Sequence, residues 1–310
     1  MMEENRHPAM EGLFLLLEIV LFLVLLLGSL GGYFLCIHDL IFDTDMLAVD
    51  MEALIVDQPI QLLLINYIPT TLILLVIVLL VHVIIFKRHE FRLGFRKKGI
   101  VYEFCIGIVM ASILIISGFL LMWASDQIDV IGFDWKWKLI LGFLLLFTVQ
   151  SFQEEVIFRS YLIPTIENRI GTWAALIISS IAFMALHLSN AGISIIGCID
   201  LVVGGFVMGM LFIIYRNIWA PTGFHMAWNY IQSTLLGFEV SGVKTYSWFK
   251  LREKGSDFFT GGEFGYEGSI FSVLFLLLCI VFLWKRYPDF TTNFIPFKKE
   301  NVELLTIEES

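Results

Sequence analysis

Eight stretches of mostly apolar residues follow one another along the chain, at roughly 13–36, 60–86, 100–122, 139–164, 171–190, 195–215, 218–236 and 268–284. A helix of ~20 such residues crosses the ~30 Å hydrocarbon layer of a bilayer. The pattern therefore predicts an all-α, polytopic membrane protein with about eight transmembrane helices, inserted in the cell membrane and in contact with its lipid bilayer. Its connectors are too short for a second folded domain, so residues 1–310 read as a single integral membrane domain. After Trp284 the apolar pattern stops, and 285–310 reads as a polar cytoplasmic tail with little order. The "GSLGG" that closes the first stretch resembles the end of a signal peptide. Apolar residues nevertheless continue to Cys36 and only Arg6 precedes the run, so a retained helix is expected.

Composition sharpens the class. Of the 310 residues 58% are hydrophobic and 16% charged, more apolar surface than a soluble domain of this length can bury. The net charge of −9, without a basic stripe, argues against nucleic acid as a partner. Cys36, Cys105, Cys198 and Cys279 all lie in apolar segments without C-x-x-C spacing, which predicts small buried hydrophobes rather than disulfides or metal ligands. Six Lys and Arg stand in 87–98, whereas 37–59 has none and six acids. Cationic loops resist translocation, so with eight spans both termini are expected in the cytoplasm. Four basic residues in 237–267, on the opposite side, blur that bias.

The stretch 139–164 departs from its apolar surroundings at "QEEVIFRSY", which puts Glu154, Glu155 and Arg159 at membrane depth. Each such charge costs ~2.5–3.5 kcal/mol on insertion scales, so it is expected to face the protein interior or a cavity. On a helix Glu155 and Arg159 stack four apart and neutralise one another. Glu154, turned ~100° from Glu155, is left to point into a cavity. Two further segments carry histidines: "FMALH" with Phe183 and His187, and "HMAWN" with His225 and Asn229. An acid, two histidines and an amide on three helices point to one shared site, although each histidine alone fits a structural role equally well.

In this order, Glu-Glu-x-x-x-Arg, Phe-x-x-x-His and His-x-x-x-Asn resemble the CPBP family of CAAX prenyl proteases and bacteriocin-processing proteins, also called the Abi family, whose eukaryotic members include the Rce1-type CAAX endopeptidases. The resemblance covers about 139–236 and marks it as the catalytic core. "GGFVMG" at 204–209 and "TGGEFGYEGS" at 260–269 are similar to bacterial members; close helix packing and a glycine-rich loop account for both.

The resemblance implies a metal-independent intramembrane endopeptidase that needs no cofactor and acts on a membrane-associated peptide or protein. Glu154 would activate water as general base, and His187 would carry the proton to the leaving amine. His225 and Asn229 would donate to the oxyanion, while Arg159 holds Glu155, Glu155 steadies Glu154, and Phe183 supports the site. Two histidines and two carboxylates also make a zinc set chemically admissible. A bacteriocin immunity protein without turnover is the alternative within the family. One expectation conflicts with a common site. At ~1.5 Å per residue, Glu154 falls ~22 Å from the outer end of its span, while His187 falls ~24 Å from the cytoplasmic end of its own, too deep to meet His225 at ~10 Å.

Overall fold

The computed structural model describes residues 8–38, 55–86 and 93–292. Within them each apolar stretch is a helix: α1 (Pro8–Gly32), α2 (Pro59–Ile85), α3 (Ile100–Ala124), α4 (Trp137–Ile170), α5 (Thr172–Ala185), α6 (Ile195–Tyr215), α7 (Trp219–Tyr230) and α8 (Ile270–Arg286). Among the described residues five of these are long and apolar enough to cross a membrane: α2, α3, α4, α6, and α1 counted as Gly12–Leu35. The chain is a multi-pass, all-α membrane protein. Most of the acidic connector before α2, the basic residues 87–92 and the expected tail beyond Thr292 lie outside the described residues.

Two boundaries differ from the sequence pattern. α4 runs to Ile170, past its expected end at 164, because the polar residues of "IPTIENRI" are paired rather than solvated. Glu167 accepts both guanidinium nitrogens of Arg216, at 2.6 and 2.9 Å, and Arg169 meets Glu18 of α1 at 2.7 Å. Pro164 is tolerated directly after a π turn, Val156–Leu162, that interrupts the regular helix. α5 stops at Ala185 rather than 190. The sequence beyond it, "LHLSNAG", supplies Ser, Asn and a glycine, Gly192, at φ +67°, all of which favour turns over helix.

The connections gather alternately at two ends. At one end Ile218 N–H donates to the Gly94 carbonyl (2.9 Å), and Arg216 meets Glu167, so the links after α2, α4 and α6 lie together. At the other end two short strands, β1 (Ile128–Phe133) and β2 (Phe249–Glu253), pair antiparallel and fasten the link after α3 to that after α7. Asn190 donates to the Ser241 carbonyl there (2.9 Å), which adds the link after α5. Three of the basic residues that blur the charge bias lie at this end against acids of the β1 segment: Lys250 against Asp134, Arg252 against Asp129, and Lys254 against Asp126 and Asp129.

The core is centred on α7, whose residues Ala220–Asn229 are all buried. Its closest neighbour is α3. A Cβ at Gly107 would strike the Ala220 carbonyl and one at Gly223 would strike the Phe104 carbonyl, so the two backbones touch at these glycines. On α6, Gly205 and Gly209 face Ser180 and Leu176 of α5, as the small-residue pattern predicts. These contacts leave α7 little freedom to slide, which fixes the depth of His225.

Candidate active site

The depth conflict between Glu154 and His187 disappears because α4 continues to Ile170, so that α4 and α5 form a hairpin turning at Gly171, where φ is +92°. Glu154 stands 17 positions before that glycine and His187 16 positions after it. At ~1.5 Å per residue both lie ~25 Å from the turn, hence level with each other. His187 belongs to no mid-membrane helix; it sits on the turn beyond the end of α5.

Glu154, His187, His225 and Asn229 line one cavity of about 410 Å³, together with Phe183. Behind them lies a fully buried ion pair. Arg159 donates to Glu155 Oε1 at 2.9 Å, and both side chains are 0% exposed. Arg159 also donates to the Gly205 carbonyl of α6 (3.1 Å) and stacks over the Phe183 ring, 4.8 Å from its centroid. The expected pair is therefore present, but its third partner differs. Glu155 does not hold Glu154: its Oε1 takes His225 Nδ1 at 2.9 Å. A carboxylate already paired with arginine can only accept, so His225 carries its proton on Nδ1 and turns Nε2 outward, 3.8 Å from Glu154 Oε2.

The same reasoning assigns His187. Its Nδ1 lies 2.9 Å from the Phe183 carbonyl, which only accepts, so Nδ1 holds a proton and Nε2 is the nitrogen left for other partners. Phe183 is wedged between the two imidazoles, with ring centroids 4.9 Å from His187 and 5.7 Å from His225. It thus orients both rings and shields Arg159.

Glu154 is partly exposed, with 23% of its side chain accessible. Its Oε2 has no hydrogen-bond partner. Its Oε1 accepts from Gln150 Nε2, and Gln150 Oε1 in turn accepts from Asn229 Nδ2 at 3.0 Å. Gln150 is the residue that motif reading misses, although its position four before Glu154 in an apolar run marks it as a neighbour on the same helical face. Its presence changes the account of Asn229. One of that amide's two N–H groups is committed to Gln150, which leaves one for a ligand.

Among the described residues no three His, Cys, Asp or Glu side chains gather as a metal-binding group.

Comparison with known families matches residues 136–231 to one described as type II CAAX prenyl endopeptidase, Rce1-like. The matched segment begins just before α4 and ends just after α7, so it contains all three motifs and the whole polar cluster. No curated protein and no solved structure matches the chain. Over the segment that carries its three motifs, the chain is therefore similar to the Rce1-like family.

Proposed function

We propose that the protein is an intramembrane endopeptidase of the CAAX-protease type, which hydrolyses a peptide bond of a membrane-associated peptide or protein with a water activated by Glu154. The observation that carries this reading is the contrast between two adjacent acids. Glu155 is wholly buried and holds both Arg159 and His225 on its Oε1, whereas Glu154 lines the cavity, is bonded only to the uncharged Gln150 amide through Oε1, and keeps Oε2 unpartnered.

Glu154 Oε2 takes a proton from water, and the oxygen of that water adds to the scissile carbonyl. The negative charge that develops there is met by the remaining N–H of Asn229 and by His225 Nε2. His225 donates from Nε2 when that nitrogen also carries a proton. His187, through Nε2, passes the proton on to the departing amine nitrogen as the C–N bond breaks. Each donor to the oxyanion typically contributes ~2.7–4 kcal/mol, and a positioned acid or base ~10²–10⁴-fold in rate.

The test is a comparison of membrane peptides from cells carrying the wild-type protein, Glu154→Gln, or neither. A peptide whose processing is lost equally in the variant and in the deletion supports the reading. A deletion phenotype fully restored by Glu154→Gln, with no change in any peptide, overturns it in favour of a binding or immunity role.

A further inference from the structure

The cavity contains acid that this reaction leaves unused. Asp200 of α6 lines it, with Gly204 and Met208 one and two turns further along the same face. Its side chain is 2% exposed, and its Oδ1 has no hydrogen-bond partner. Ser272 of α8 lies beside it and brings no charge.

Glu267 lines the same cavity, in the glycine-rich segment before α8. Its Oε1 accepts from Trp228 Nε1 (3.0 Å) and Gln232 Nε2 (2.9 Å), and its Oε2 from the N–H (2.8 Å) and hydroxyl (2.6 Å) of Ser241. Four donors engage both of its oxygens, so this carboxylate is a structural anchor. Trp228 and Gln232 stand three and seven positions after His225 on α7 and its continuation. The acid pair therefore belongs to a part of the cavity displaced along α7 from Glu154.

Among the described lining residues are three carboxylates and two histidines, and no lysine or arginine. Arg159 is occupied by Glu155 and the Gly205 carbonyl. A buried carboxylate without a counter-charge is expensive, so a cation entering this space gains more than it would at the surface. Leu201, Phe224 and Trp228 flank the acids with apolar surface suited to the methylene stem of a long basic side chain.

We propose that Asp200 anchors a subsite for a lysine or arginine side chain of the substrate, so that the enzyme selects an apolar peptide with one basic residue near the scissile bond. This rests on reading the cavity as the substrate site of a protease. The full chain in detergent, carrying Glu154→Gln to prevent turnover, is titrated with fluorescein-labelled apolar peptides, each with a single lysine at a different position, and with their all-norleucine parent. At one position lysine should tighten binding about tenfold. Adding Asp200→Asn should abolish the difference. Zero-length carbodiimide coupling of the preferred peptide, mapped by mass spectrometry, should join its lysine to Asp200, a result that does not depend on how the Asp200 variant folds. Lysine peptides that bind no tighter than the parent, a preference that survives Asp200→Asn, or coupling only at other carboxylates would each overturn the subsite. Cleavage by Glu154→Gln would instead overturn the general base, while the binding comparison still decides the subsite.

Discussion

Glu154 and Glu155 are consecutive residues of one helix, yet they occupy opposite regimes. Glu155 is wholly buried, and both of its partners are cationic or able to become so. Glu154 is partly exposed to a cavity, tethered on one oxygen by an uncharged amide and open on the other. The ~100° between successive helical residues separates them. The interior takes one acid into a closed ion pair, and that pair positions the histidine that faces its neighbour. Burial of charge and presentation of charge are thus coupled through His225, which touches Glu155 through Nδ1 and faces Glu154 through Nε2.

The comparison breaks most sharply at Glu154 itself. Glu154→Gln keeps the shape and the contact to Gln150 but cannot take a proton; cleavage should fall by ~10²–10⁴-fold while the thermal midpoint in detergent stays at the wild-type value. A folded variant that cleaves normally would show that the two acids do not differ in role. Arg159→Ala tests the other side. It strands Glu155 in the interior and should remove ~3–5 kcal/mol of stability, read as lost abundance and a lowered melting midpoint. Arg159→Ala at wild-type abundance would show that Glu155 needs no counter-charge.

Two smaller changes sharpen the contrast. Gln150→Met removes the tether on Glu154 and frees Asn229 without changing volume much; kcat should drop about tenfold with little change in KM or melting midpoint, since the net worth of such hydrogen bonds is ~1 kcal/mol each. Arg252→Ala deletes an ion pair to Asp129 whose arginine is 63% exposed, and should leave both melting midpoint and cleavage unchanged. Together they contrast a polar contact at the site with one at the surface.

Much of this was legible in sequence. The apolar stretches yielded the helices, because in hydrocarbon the backbone can satisfy itself only within a helix or a closed barrel. The Glu155 and Arg159 pair followed from i, i+4 spacing and the insertion cost of each charge. What escaped has physical reasons. The end of α4 was hidden because Glu167 and Arg169 look like a solvated loop, and only their partners Arg216 and Glu18, far away in sequence, show otherwise. Gln150 carries no charge and so drew no notice from a cost argument built on charges. Asp200 also carries a charge in an apolar run, but it lies outside the three motifs and was passed over. His187 looked too deep because the stretch carrying Glu154 was taken to end at 164; with α4 continuing to Ile170, Glu154 lies about as far from the shared turn as His187 does.

That turn has a consequence for how the molecule tolerates change. With Gly171 as a common origin, the alignment of Glu154 with His187 is encoded as two nearly equal lengths of chain rather than as a pair of residues. Removing one residue between Glu154 and Gly171 would lower the acid by ~1.5 Å and swing it ~100° away from its partner, without altering a single motif letter. Adding one beyond His187, in the turn before α6, would leave that alignment untouched. In this hairpin, chain length specifies the site as strictly as side-chain identity does, and only matched insertions in both arms could preserve it.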